Sequence, residues 1–413
     1  MNNETSKVQR VIGFDAHPDT FTAAIVQGPT PAAAVVQKVF NKVPLNTLES
    51  WALNHTTPED LIVLEASGNS FHVVRVLRQA KRNALVLESC YLGKLKQAYA
   101  NNDKISAVRI GKAYLAGMAK QVWVPDWETQ LRRDVYHRHR KAVKRVNQLR
   151  NRLSSYLSDN GVRLAKGDKL TDPKIVKKIE TARPWWKTQW YLIENDLAQL
   201  QEAEQHRKTL RSFIAQQVLQ DPVMLSLVRL CGIRDIIAFA LGALVGDIKR
   251  FASPKKLVAY IGLNPAFDDS GKSKWSGGIG GHGRKDLRAL LIEAAHAIMR
   301  SPKNDLARWG KKLLGRKGSL NLAVAAVARR LTVAVWYLMM GRSNPLEEID
   351  AKLSAKVSKI ITAVGATGLK QLGKVRKQLR EEVCHSLKTG RDYVLDRNKK
   401  FIPKAAPQPA ASA

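Results

Sequence analysis

The sequence predicts three architectures in succession: a mixed α/β domain, a long helical arm and a mostly α-helical C-terminal region. Three observations carry this. Short β-prone runs alternate with helical stretches from residue 11 to residue 117. The chain from Gln130 to Leu157 then has no Pro or Gly, with apolar residues at three-four spacing. Beyond it, helical segments are broken at Gly232, Gly246 and Pro254. The boundaries fall at 1–125, 126–220 and 221–343, with a basic helical tail over 344–413.

The N-terminal elements follow from period and punctuation. Val11 to Asp15 is a short apolar run ending in an acid, and Thr20 to Val26 and Ala34 to Phe40 are β-prone segments separated by Pro, Gly and Asp. Three strands on short turns make an antiparallel meander. Leu45 to Asn54 reads as helix, Leu61 to Glu65 as a buried strand, Ser70 to Arg82 as helix, Ala84 to Leu87 as strand and Lys104 to Gly117 as helix. The order β-β-β-α-β-α-β-α matches a ribonuclease-H-like fold, and the right-handed crossover rule leaves few other sheets compatible with it.

Three acids stand at informative places. Asp15 closes the first strand, Glu65 closes the fourth, and Asp103 opens a helix. Singly, each is a common turn or N-cap residue. Together they can converge at one end of the sheet, where they would repel one another without cations. Magnesium ions about 3.5–4 Å apart would turn such a cluster into a clamp on the attacking and leaving oxygens of a phosphodiester.

The arm carries Ala142, Val146, Leu149, Leu153 and Tyr156 as a coiled-coil seam. Residues 132 to 152 include Arg132, Arg133, Arg138 and Arg140 among their many cations, with Asp134 as the single acid. A solvated face normally mixes signs, so this imbalance suggests phosphate contact, with plain dimerisation as the bland alternative. After Pro184-Trp185-Trp186 a second helix, near Gln189 to Leu219, continues a looser stripe. Folded back as a hairpin, the pair would make a dimer arm.

In the C-terminal region the stretch Ser270 to Gly283 reads as a Gly-rich flexible loop that lets backbone approach phosphate. Lys272, Lys274, Arg284, Lys285 and Arg288 supply cations around it. By itself Ser270 is most simply a turn residue. From Ala351 to Val383 the tail reads as helix with basic residues on one side, and Pro403 to Ala413 as a disordered Ala/Pro end.

Bulk properties bound the partners. The 413 residues are 45% hydrophobic, enough to bury a core in each domain. The net charge of +34, from 69 Lys and Arg against 35 acids, calls for a polyanion, and nucleic acid is the first candidate. No run approaches the roughly 18 apolar residues of a spanning helix, so no membrane partner is expected. No secretory signal opens the chain, and Cys90, Cys231 and Cys384 lack disulfide or zinc spacing. A reduced cytoplasmic protein, associated with the nucleoid, is expected.

Gly13-Phe14-Asp15, Leu64-Glu65-Ala66-Ser67-Gly68 and Asn102-Asp103-Lys104-Ile105-Ser106-Ala107 resemble three blocks of the DEDD insertion-sequence transposases, whose N-terminal domain is similar to the RuvC resolvase. Cys231-Gly232-Ile233, Gly246 to Phe251, Tyr260 to Pro265, Ser270-Gly271-Lys272 and Gly283 to Arg288 are similar, in order, to that family's C-terminal transposase domain. The resemblance covers about residues 11 to 340. It implies that Ser270 is the nucleophile that joins covalently to a DNA strand, and that Asp15, Glu65 and Asp103 hold Mg2+. The family's fourth acid, three residues after the third, is Ser106 here, a weak, uncharged ligand. Arg234 stands where the family commonly has a second glycine of a hairpin turn.

The implied function is an insertion-sequence DNA transposase or recombinase, a homodimer or tetramer. A bridge RNA would pair with donor and target DNA. A site-specific DNA invertase of the same family and a decayed, non-catalytic nucleic-acid-binding protein are the alternatives. Ser106 is the support for the last.

Overall fold

The computed structural model describes residues 9–89, 102–117, 120–165, 167–270, 273–301, 304–342, 352–389, 393–395 and 401–403. Lys272, Cys90, the Asn344-Pro345 helix end and the Ala/Pro end beyond residue 403 lie outside the described residues. The chain divides into two compact units, Met1–Glu128 and Thr129–Ala413.

The first unit is a six-stranded mixed sheet. Its strands are β1 (Gln9–Ala16), β2 (Thr20–Gly28), β3 (Val35–Pro44), β4 (Leu61–Glu65), β5 (Asn83–Leu87) and β6 (Gln121–Val122), in the order β3-β2-β1-β4-β5-β6. The β1–β2 and β2–β3 pairs are antiparallel, whereas β1–β4 and β4–β5 are parallel. Alternation decides which residue meets which layer. Ile12, Phe14, Ile62 and Leu64 face a core shared with α1 (Leu48–His55) and α2 (Ser70–Gln79), where the Phe14 and Phe21 rings stack at 4.5 Å and Trp51 meets both edgewise. Val11, Leu61 and Val63 face the opposite side, under Ile110 and Ala113 of α3 (Asp103–Leu115). Both faces of the central strands are covered, which is why β1 and β4 read as continuous apolar runs.

The second unit is helical. α4 (Trp127–Asp159) and α6 (Lys187–Gln220) fold back on each other, with the short α5 (Pro173–Thr181) between them in sequence. The seam expected for a coiled coil closes inside the chain: Val146, Leu149, Leu153 and Leu157 pack with Ile193 and Leu200, and with Leu170 and Ile179. Arg145 donates to Gln199, and Arg150 and Arg152 pair with Glu204 and Asp196. Trp185 joins this core and donates to the Ile179 carbonyl, whereas Trp186 is 78% exposed.

The rest of the unit is one core. It is built from α7 (Pro222–Leu227), α8 (Asp235–Val245), α9 (Pro254–Ile261), α10 (Lys285–Met299), α11 (Asp305–Lys317), α12 (Leu320–Met339), α13 (Leu353–Gln371) and α14 (Arg376–Thr389). The basic tail belongs to this core through Leu353, Val357, Ile360 and Ile361. α12 packs against α7, α9, α10 and α11. It is long and apolar enough by length and composition to cross a membrane, against the expectation that no such run exists. Val324, Val327, Leu331 and Val335 fill the core from it, and Arg329 and Arg330 interrupt its outer side.

Two strands interrupt the helices where the sequence predicts a flexible loop. β7 (Pro265–Ser270) and β8 (Ser273–Ile279) form an antiparallel hairpin, with Ser270 opposite Ser273. The hairpin replaces the loop because its two ends are clamped. Gly262 (φ 81°) and Gly283 (φ 90°) cross backbone to backbone: a Cβ on Gly262 would lie 2.1 Å from the His282 carbonyl oxygen, and one on Gly283 would lie 2.7 Å from the Gly262 nitrogen. Arg288 ties the crossing by donating to the carbonyls of Gly262, Gly280 and His282 at 3.1, 3.2 and 2.8 Å.

Candidate metal centre and cationic surfaces

One end of the sheet gathers Asp15, His17 and Asp103, whose ligand atoms lie within 4.8 Å of one another. Gly13 makes this possible. It sits two residues before Asp15 on the same face, and α3 lies so close that a Cβ there would stand 1.9 Å from the Ala107 carbonyl oxygen. Helix and strand therefore touch backbone to backbone, which brings Asp103, at the first turn of α3, level with the end of β1. Asn102 caps the helix by accepting from the Ile105 N–H at 2.9 Å. His17 Nε2 lies 3.4 Å from Asp103 Oδ1 and 3.9 Å from Asp15 Oδ2. That nitrogen is buried and makes no hydrogen bond. Asn69 holds the His17 backbone by donating to its carbonyl at 2.7 Å.

Asp15 sits in an unusual balance. Burial, reinforced by the Asp103 charge, pushes its carboxyl above the usual aspartate range, against His17, Arg109 and a hydrogen bond from Ser106. Ser106 is 6% exposed and also accepts from Arg109 Nη2 at 3.3 Å. It orients Asp15 from the position that the resemblance gives to a fourth acid. Glu65 is the residue after Leu64, which pairs with Phe14, so it ends β4 beside Asp15 at the same end of the sheet. It lies outside the tight group of Asp15, His17 and Asp103.

The donor set fits a divalent cation: two carboxylates, one of them raised in pKa chiefly by burial and further by the other's charge, and an imidazole nitrogen lacking a hydrogen bond. Sequence reading misses His17 and Arg109. The available signal for His17 is its spacing of two from Asp15, the period that keeps side chains on one side of an extended chain. On titrating the full-length protein with Mn2+ and following the free-ion EPR signal, Asp15→Asn is expected to weaken binding by about tenfold or more, equivalent to ~1.4 kcal/mol. His17→Ala should weaken Mn2+ more than Mg2+, since imidazole favours the softer ion. Wild-type affinity should fall on acidification from a higher pH than an ordinary aspartate would give. Two variants that bind like wild type would remove the cluster as a metal site.

The structure separates the cations by burial. Arg133 is 8% exposed and donates to the carbonyls of Ala243 and Leu244 at 3.0 and 3.1 Å, and Arg132 pairs with Asp221 at 2.9 Å. Arg284 makes a two-pronged ion pair with Asp286; against its own burial, that pairing holds the Asp286 carboxyl below its usual range. Arg288 is the clamp of the hairpin. Arg138, Arg140 and Lys285 face solvent. Ser270 ends β7 and Lys274 lies opposite Asp269 in β8; the side chains of Ser270 and Lys274 are outside the described residues.

A carboxylate–imidazole group at the end of a central strand of a mixed sheet, in a chain of strongly positive net charge, defines a candidate nucleic-acid-processing protein. Residues 226–309 match the model of the Transposase IS116/IS110/IS902 family. The transposase-related protein y4qE of Sinorhizobium fredii is 24% identical over 264 residues, 64% of each chain. The transposase for insertion sequence element IS1111A of Coxiella burnetii is 36% identical over 111 residues, 26% of this chain and 30% of that one. The transposase for insertion sequence element IS1328 of Yersinia enterocolitica is 23% identical over 314 residues, 73% and 89% of the two chains. The chain thus spans less than two thirds of the length of the first two relatives. Over residues 226–309 the chain is thus similar to this family, and over longer stretches it is similar to these transposases.

Proposed function

We propose that the chain is a DNA transposase that cuts and rejoins DNA through a serine ester. The observation that carries this is the family match over residues 226–309, which contains Ser270 and both halves of its clamped hairpin. Attack by the Ser270 hydroxyl oxygen forms a serine–phosphorus bond as the strand's own ester oxygen leaves and takes a proton. Ester is exchanged for ester, so rejoining needs no outside energy source.

The sheet order, with an antiparallel β3-β2-β1 meander beside parallel β4 and β5, supports a ribonuclease-H-like, RuvC-like first domain. Asp15 and Asp103, with His17, would hold Mg2+ or a similar cation, and Glu65 would complete that end of the sheet. When bound, the ion would supply charge for the phosphodiester oxygens. Ser106 fixes the Asp15 carboxylate, and Arg109 offsets part of the negative charge. Arg138, Arg140 and Lys285 are the surface cations suited to phosphate contact. Donor and target DNA are the partners of this reading, with a bridge RNA supplying specificity, in a homodimer or tetramer in the nucleoid-associated cytoplasm. The domains are 1–125, 126–220, 221–343 and 344–413.

The test uses a labelled DNA substrate carrying the element's ends, its flank-encoded RNA, Mg2+ and a denaturing gel. Wild type should yield a protein–DNA adduct, and Ser270→Ala should form less than about a hundredth as much while binding nucleic acid normally, since only the hydroxyl is removed. An adduct that persists in Ser270→Ala moves the nucleophile elsewhere.

A further inference from the structure

A cavity of about 350 Å³ opens where the turn Cys231–Arg234 meets the end of α10 and the start of α13. Among the described residues five cations line it, Arg234, Arg300, Lys352, Lys356 and Lys359, and none of the described lining residues is an acid. Four of them are exposed on three separate segments, so no single helix face explains their meeting. Lys356 is 6% exposed and donates to the carbonyls of Val228 and Leu230 at 2.7 and 2.8 Å, which fixes the floor of the cavity to the turn. Asp235, almost fully buried behind the turn, lies 3.7 Å from Arg234 and 3.4 Å from Arg211.

The helix end sharpens the argument. The positive pole of a helix favours acids, yet Lys352 is the N-cap residue of α13, Lys356 lies in its first turns, and its first turn holds no acid. A lysine has no acceptor for the first N–H groups. Among the described residues, Arg300 and Lys359 thus face a helix pole of their own sign. An anion in the cavity would meet these cations beside that pole.

We propose that this cavity binds a backbone phosphate of the nucleic acid, as an anchor separate from the reacting serine. The proposal rests on nucleic acid being the chain's polyanion. It does not need the serine chemistry.

The experiment measures binding of fluorescent duplex DNA and of single-stranded RNA to the full-length protein by anisotropy, from low to moderate salt. The variant is Arg300→Gln with Lys359→Gln, two exposed positions whose replacement should leave the melting temperature unchanged. Duplex affinity at about 0.1 M salt should fall roughly tenfold or more, and the log–log salt slope should flatten by up to ~0.9 for the one phosphate no longer neutralised. Arg138→Gln with Arg140→Gln should lower affinity independently and additively. An unchanged slope in the Arg300/Lys359 variant, with the fold intact, overturns the anchor; the cations would then be answered by the chain itself, for which Glu347, Glu348 and Asp350 stand just before Lys352 in sequence. Inorganic phosphate that binds wild type but not the variant, while duplex affinity is the same for both, would also overturn it, by marking a free-anion site. Either failure leaves the Ser270 adduct of the wild type untouched, so the two readings fall separately.

Discussion

Gly13→Val should abolish divalent-cation binding and lower the melting temperature of the first unit. The added Cβ alone would stand 1.9 Å from the Ala107 carbonyl oxygen and 2.6 Å from the Gly111 nitrogen, both backbone atoms that no rotamer change can move. Overpacking a core ordinarily costs about 1–3 kcal/mol, and a clash with backbone belongs at or above the top of that range. The helix must slide away from β1. Because Asp103 and Ser106 ride on it, Asp15 loses both its partner carboxylate and its orienting hydroxyl. Gly111→Ala is the graded control: its Cβ would meet Val26 Cγ2 at 3.2 Å, a side chain able to give. Mn2+ binding and thermal melting of the two variants check the point, and a Gly13→Val protein that melts and binds like wild type would show that the close helix–strand approach does not hold the centre together.

Arg133→Ala is expected to destabilise the second unit by about 1–3 kcal/mol, because the buried Ala243 carbonyl at the end of α8 loses its donor and the Leu244 carbonyl keeps only the Tyr260 hydroxyl. Ala243 and Leu244 offer their oxygens where helix carbonyls have no intrahelical partner, and the Arg133 guanidinium fork reaches both, joined at Leu244 by the Tyr260 hydroxyl. Lysine should restore only part of the stability, since one ammonium does not reproduce the fork. Arg138→Ala, on the exposed side of the same helix, should shift stability by less than about 0.5 kcal/mol. Urea midpoints of the three variants decide it. Equal midpoints for Arg133→Ala and wild type would refute the assignment of Arg133 to the core.

Gly13 and Arg133 also mark what sequence can and cannot reveal. β1 and β4 are legible because strands covered on both faces are apolar throughout. β3 continues beyond the expected Phe40 to Pro44: a register shift between the pairs of Phe21 and Ala23, with Lys42 at φ 51°, carries the strand through the polar stretch Asn41-Lys42. The β7–β8 hairpin reads as a loop in sequence because glycines in β8 weaken its local signal, while the clamp that orders it comes from Gly262, Gly283 and Arg288. The three acids are visible as strand and helix ends, but the meeting of Asp15 and Asp103 depends on how closely α3 approaches Gly13. Arg132, Arg133, Arg138 and Arg140 share a charge in the sequence and are sorted only by packing. His17 carries a spacing signal too short to stand out from an ordinary turn.

The folded-back pair of long helices has a mechanical consequence. α4 runs for 33 residues and α6 for 34, so each rod is about 50 Å long at 1.5 Å per residue. Because their apolar seam closes within the chain and Arg145, Arg150 and Arg152 stitch one rod to the other, the pair resists bending as a single beam. The near ends of both rods are set in the main core through Tyr136 and Ile214, so the free beam runs about 27 Å, from Ala142 to Asp159. A tilt of roughly 10° at that root carries its tip about 5 Å, more than one base-pair step of a duplex at about 3.4 Å.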